Sequence, residues 1–227
     1  MNQPGKRIKI CGLSRREDIL AVNKWKPDYA GFVFAPGKRR VTPSQAASLK
    51  ELLSPGILAV GVFVNAPMEE IISLARRRVI DLIQLHGEED EDYILTLKEK
   101  LGGDSSIIRA IRVQTAQDVE NAKKIPADFL LFDTYTKGLY GGSGKTFDWS
   151  FLPGGRRPWF LAGGISISNV RDAMKTHAFC LDVSSSLETE GKKDPEKIKE
   201  IIQIIRSESL CQKEDLDSTE DNLFPKR

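Results

Sequence analysis

Short apolar runs of strand length and helix-like segments alternate eight times along this chain, and few folds accommodate that order. The strand candidates are Ile8 to Cys11, Tyr29 to Phe34, Leu58 to Val64, Leu82 to Leu85, Ile107 to Ile111, Phe129 to Asp133, Trp159 to Ala162 and Phe179 to Val183. All are mostly apolar, as strands covered on both faces should be. Between them, Thr42 to Leu53 opens with a cap and a proline and sets Ala46, Leu49 and Leu53 on one side. Met68 to Val79 repeats Ile71, Ile72, Ala75 and Val79 at helical spacing, and Pro195 to Arg206 repeats Ile198, Ile201, Ile202 and Ile205. The sixth helix is reduced to Asp148 to Leu152, which Pro153-Gly154-Gly155 interrupts. Strict alternation implies parallel strands, and eight units favour closure into a single-domain (β/α)8 TIM barrel over the alternative, a doubly wound sheet.

The size fits one such domain: 227 residues, 40% hydrophobic and 29% charged, can bury one substantial core. Residues 1–207 are expected to form the barrel and 208–227, polar and acidic in its middle, a mobile tail. No apolar stretch approaches the roughly 18 residues of a membrane span, and Met1 to Lys9 is too polar for a secretory signal, so a cytoplasmic protein is expected. Cys11, Cys180 and Cys211 lack the spacing of a metal or redox motif and should be reduced. A net charge of +2 gives no drive toward nucleic acid, and Arg76 to Arg78 falls where a helix should end and basic residues complement its dipole. Neither metal nor cofactor is expected: too few His and carboxylate ligands converge, no strand-end lysine suggests a Schiff base, and no Gly-x-Gly-x-x-Gly opens an early helix.

Three strands in the second half run directly into Gly- or Ser-rich turns: Gly141-Gly142-Ser143-Gly144, Gly163-Gly164 and Ser184-Ser185-Ser186. Such turns let backbone N–H groups approach an anion, and in a barrel this is where phosphate sits. A phosphorylated small molecule is therefore the expected partner, bound by a monomer or homodimer. Chemistry in a barrel belongs to strand C-termini and the loops that follow, which selects Cys11, Arg39, His86 and Asp133. A cysteine is as often a small buried hydrophobe, and a lone histidine as often shapes a loop. Asp133 carries more weight, because a carboxylate ending an apolar strand incurs desolvation unless it points into a polar mouth. His177 lies at the opposite end and is set aside. A thiol facing a carboxylic acid suits proton shuttling, whereas no Ser/His/Asp triad can be assembled.

Together, Lys9-Ile10-Cys11-Gly12, Gly31-Phe32-Val33-Phe34, Lys38-Arg39-Arg40-Val41, Gly61-Val62-Phe63-Val64-Asn65, Gln84-Leu85-His86-Gly87, Gly141-Gly142-Ser143-Gly144, Ala162-Gly163-Gly164 and Asp182-Val183-Ser184-Ser185 closely resemble phosphoribosylanthranilate isomerase, from about Lys9 to Glu200. The resemblance implies an Amadori rearrangement in tryptophan biosynthesis without metal or cofactor. It makes Cys11 the general base, Asp133 the general acid, Arg39 the group that meets the anthranilate end, and Gly141, Gly142, Gly144, Gly163, Gly164, Ser184 and Ser185 the phosphate site; His86, from its place after the fourth strand, is the further candidate for substrate binding. Two departures stand out: Gly37-Lys38-Arg39 replaces the usual Ser-x-Arg, and Ser186 replaces a glycine. The sister isomerase of histidine biosynthesis resembles a two-carboxylate design, against which Cys11 argues; a barrel that only binds a phosphorylated ligand is the non-enzymatic alternative.

Overall fold

A computed structural model describes residues 5–134, 148–154 and 157–220, with side chains as far as Ser207. Eight strands close in chain order into a parallel barrel: β1 (Arg7–Cys11), β2 (Tyr29–Val33), β3 (Leu58–Phe63), β4 (Leu82–Leu85), β5 (Ser106–Val113), β6 (Phe129–Thr134), β7 (Trp159–Leu161) and β8 (Cys180–Val183). The barrel shuts where β8 pairs with β1, setting Lys9 opposite Asp182. Outside run α1 (Arg16–Trp25), α2 (Pro43–Glu51), α3 (Met68–Arg76), α4 (Glu91–Leu101), α5 (Ala116–Ala122), α6 (Val170–Lys175) and α7 (Pro195–Glu220).

Local chemistry explains several boundaries. Thr42 caps α2 by accepting from Gln45 N, while Gln45 Oε1 accepts from Thr42 N, and Pro43 occupies the first turn. Three aspartates just before strands tie the N-terminal rim. Asp28 accepts from Ile8 N at 2.9 Å, Asp81 from Ala59 N at 2.7 Å and Asp128 from Ile107 N at 2.8 Å, each satisfying an amide of the preceding strand.

Side chains alternate between two cores. One lies between barrel and helices, with Ile8, Ile10, Phe32, Ile83 and Phe132. The other fills the barrel interior with Val60, Leu82, Ile108, Leu131, Phe160 and Cys180. Its floor is aromatic, Phe160 meeting Tyr29, Phe129 and Phe179 with ring centroids 5.5 to 6.0 Å apart. Towards the strand C-termini the buried side chains turn polar: Lys9, Gln84, His86, Asp133 and Asp182. An apolar floor below a polar mouth confines charge to one end of the barrel.

Three features differ from what periodicity alone conveys. The sixth helical unit is a 3-10 turn, Trp149–Phe151, because Pro153 follows within a few residues. An antiparallel hairpin, β9 (Glu188–Thr189) and β10 (Lys192–Lys193), stands between β8 and α7; its strands are two residues long, too short for alternation to reveal. The last helix continues past Arg206 to Glu220, since helical hydrogen bonding does not end where apolar periodicity does. No described helix is long and apolar enough to cross a membrane.

Candidate active site

A cavity of about 550 Å³ opens at the strand C-termini, lined by Cys11, Arg39, Gln84, His86, Asp133, Gly163, Gly164, Asp182, Ser184 and Ser185. Every strand-end residue singled out from sequence and described here lies on it. Gly141, Gly142 and Gly144 lie outside the described residues. His177 sits in the α6–β8 loop, at the other end.

Cys11 ends β1 opposite Gly31 of β2, where a Cβ would stand 2.8 Å from Cys11 Sγ. Glycine there makes room for the thiol. Burial pushes the thiol up, and Lys9 and Lys193 pull it back only in part. The positive mouth therefore does not ionise Cys11 by itself: desolvation of the thiolate outweighs its cationic neighbours.

Asp133 is the penultimate residue of β6, its Oδ1 accepting from Thr134 N at 2.8 Å. A Cβ on Gly163, whose φ is +86°, would overlap Thr134 and stand 2.8 Å from Asp133 Oδ1, so this glycine fits the backbone against the acid. His86 Nε2 lies 3.2 Å from Asp133 Oδ2. On the other side of the ring, the Gln84 amide stands 2.8 Å from Nδ1. His86 thus faces the acid directly. Glu89 fixes its loop, accepting from Asn65 N at 2.7 Å and Gly87 N at 2.9 Å.

Arg39 reaches the rim across Gly12, whose φ is +83° and where a Cβ would overlap the arginine stem. Its Nε donates to Glu188 Oε1 at 2.6 Å and its Nη2 to Glu188 Oε2 at 3.1 Å, so the planar fork expected to face a ligand carboxylate is held by a side chain of β9. Lys193 of β10 donates to Glu188 Oε1 at 2.7 Å and to Ser184 O at 2.9 Å. Two cations on one carboxylate leave one positive charge in excess. Burial raises the Glu188 carboxyl, but the hydrogen bonds from Arg39 and Lys193 hold it below the usual range. Ser184 Oγ donates to Cys11 O at 3.0 Å, joining the last strand end to the first. Ser186, the departure from glycine, donates to Ile165 O at 2.6 Å from a 3-10 turn, with no positive φ.

Sequence reasoning assigned no role to Glu188, Lys193, Gln84 or the Lys9–Asp182 pair. A lysine and a glutamine inside otherwise apolar strands were the available signal. For Glu188 and Lys193 nothing local marked them. Among the described residues, no group of His, Cys, Asp and Glu is placed to hold a metal ion.

Known proteins resemble this chain in sequence and fold. The family profile described as N-(5'phosphoribosyl)anthranilate (PRA) isomerase matches residues 8–204. N-(5'-phosphoribosyl)anthranilate isomerase of Endomicrobium trichonymphae is 48% identical over 202 residues, covering 88% of this chain and 98% of that protein. The phosphoribosyl anthranilate isomerase structure from Thermus thermophilus aligns with a TM-score of 0.75 at 31% identity, over 88% of this chain and 98% of the other. An isomerase solved in complex with reduced 1-(o-carboxyphenylamino)-1-deoxyribulose 5-phosphate aligns with a TM-score of 0.74 at 33% identity, over 89% and 99%.

Proposed function

The chain belongs to the N-(5'-phosphoribosyl)anthranilate isomerase family of tryptophan biosynthesis, and from that premise we propose that it performs the family's Amadori rearrangement with Asp133 as general acid and Cys11 as general base. The carrying observation is that these two side chains, far apart in the chain, stand at the C-terminal ends of β1 and β6 on one cavity with the Gly163-Gly164 and Ser184-Ser185 turns beside them.

Asp133 donates its proton to the furanose ring oxygen, the C1–O bond breaks, and the nitrogen lone pair forms a cationic Schiff base. The Cys11 thiolate then takes the proton from C2, giving an enolamine that tautomerises to the 1-deoxyribulose ketone. As the Schiff base cation forms, the Cys11 thiol releases its proton to solvent through the open mouth, the new cation offsetting the burial that keeps the free thiol neutral. The Gly and Ser turns hold the phosphate during both steps. Arg39 meets the anthranilate carboxylate through its Nη1 edge, since Glu188 engages Nε and Nη2.

Gln84 and His86 set the proton on the acid. With the Gln84 amide nitrogen against Nδ1, His86 carries its proton on Nε2 and faces an ionised Asp133; with the amide turned, Oε1 accepts from Nδ1–H and Nε2 is free to accept from a protonated Asp133. Acid catalysis requires the second arrangement.

Incubating the purified protein with phosphoribosylanthranilate and following loss of anthranilate fluorescence tests the reading. Enzyme-dependent loss is expected. Saturable binding without turnover would instead make this a barrel that only binds its ligand.

A further inference from the structure

Lys9 stands in the same strand as Cys11, two residues below it, and both side chains point into the barrel. Two residues of strand advance the chain by roughly 7 Å, a distance a lysine side chain spans. Lys9 has no exposed surface and donates from Nζ to Asp182 Oδ2 at 2.7 Å, and its positive charge acts on the Cys11 thiol above it. Asp182 lines the cavity, and its buried Oδ1 has no hydrogen-bond partner. Apolar residues of equal volume often stabilise such a site as well as, or better than, a buried ion pair. Stability alone therefore does not account for the pair, whose place beneath the thiol puts it within reach of the chemistry.

The charges around Cys11 come from every element packed on it: Lys9 from β1, Asp182 from β8, Lys193 from β10 and Arg39 from the loop after β2, with Asp133 and His86 farther across the mouth. Cys180, one layer lower on β8, also faces Lys9 and is a buried thiol pushed well up by desolvation, so it remains uncharged. Against burial, Asp182 and then Cys11 keep the Lys9 ammonium charged. Burial pushes the Asp182 carboxyl up, but at 2.7 Å the shared proton belongs to the stronger base, Lys9.

We propose that Lys9 is a positioning residue for the reaction, its ammonium held by Asp182 on the same barrel face as the Cys11 thiol so that negative charge formed on sulfur meets a cation already in place. The proposal rests on Cys11 as general base. While the thiol is neutral, Lys9 and Asp182 balance each other. When Cys11 loses its proton the trio carries one negative charge, offset by the Schiff base cation; when the thiolate takes the C2 proton the trio returns to neutrality. Asp182 keeps the lysine oriented in both states and, as a second anion, keeps the thiolate reactive.

Alkylation of Cys11 by iodoacetamide across pH, read by peptide mass spectrometry so that Cys180 and Cys211 are scored separately, tests this alongside turnover. In Lys9→Met the midpoint of Cys11 alkylation should move up and the rate below it fall about tenfold, one pKa unit's worth. Its kcat should fall with little change in KM, and the rising limb of the pH profile should shift alkaline. Asp182→Asn should move the midpoint the other way, because a charge that opposes the thiolate is gone. An unchanged midpoint in folded Lys9→Met overturns the proposal. Should that variant fail to fold, an unchanged or upward midpoint in Asp182→Asn overturns it equally. Turnover surviving in Cys11→Ala, with the alkylation shifts intact, would instead overturn Cys11 as the base.

Discussion

Arg39 is held by Glu188, a residue 149 positions later, through Nε to Oε1 at 2.6 Å and Nη2 to Oε2 at 3.1 Å. The contact fixes where the guanidinium points before any ligand arrives. Glu188→Ala should therefore raise KM for the anthranilate substrate with a smaller change in kcat. A charge-assisted bond contributes roughly 1.5 to 3 kcal/mol, or about 10- to 100-fold. Arg39→Ala should raise KM at least as much, and the double variant should show no further loss. Inhibition by inorganic phosphate should change much less in Arg39→Ala; the opposite pattern would put Arg39 at the phosphate.

Replacing Cys11 by Ala or Asp133 by Asn should each lower kcat by roughly 10² to 10⁴, the usual contribution of a positioned base or acid. Substrate binding, measured by equilibrium titration, should change little. Near-normal turnover in either variant removes that residue from the mechanism.

Gln84 touches no reacting atom and acts through the His86 ring. Gln84→Leu should lower kcat about 10-fold while KM stays close to that of the unaltered protein, and Gln84→Glu, whose carboxylate accepts from Nδ1–H, should restore part of the rate. Equal losses in both variants would mean that Gln84 only fills space.

Stability should fall at alkaline pH. Burial raises the thiols of Cys11 and Cys180 and takes the Tyr29 and Tyr93 hydroxyls to about 12. From the ordinary thiol value upward the unfolded chain sheds protons that the folded one keeps, so stability present below that pH is lost as pH rises through the folded values. Lys6, lowered by burial to about 8, acts in the opposite sense between there and its ordinary 10.5. Urea midpoints should accordingly decline above about pH 9, less steeply once Cys180→Ala removes one raised group.

Deleting 208–227 should leave Tm and turnover nearly unchanged. Among the described side chains of α7, Ile198, Ile201, Ile202 and Ile205 are buried against the barrel and precede the cut, and Arg206 keeps its contact with Asp28 at 2.8 Å. A helical stretch without apolar periodicity draws little from propensity alone. A fall of many degrees, or loss of an oligomer seen by light scattering, would show that residues 208–227 belong to the barrel or to an interface.

Alternating apolar and amphipathic segments determined the barrel, because burial on both faces leaves its mark on every short strand independently of the others. Once the strands are parallel, their C-termini share one rim, so the ends of β1 and β6 and the turns after β7 and β8 were legible as a single site from their positions alone. The Thr42 cap and the basic end of α3 were legible for the same reason: the residues concerned are neighbours in sequence. Tertiary structure alone decided the partners. Lys9 meets Asp182 only because β8 closes on β1, Arg39 meets Glu188 only because a two-residue strand turns back over the rim, and His86 meets Asp133 only across the width of the mouth. Periodicity reports whether a side chain is buried, not which distant group it is buried against. The charges that tune this mouth are pairings made by barrel closure, and no local pattern encodes them.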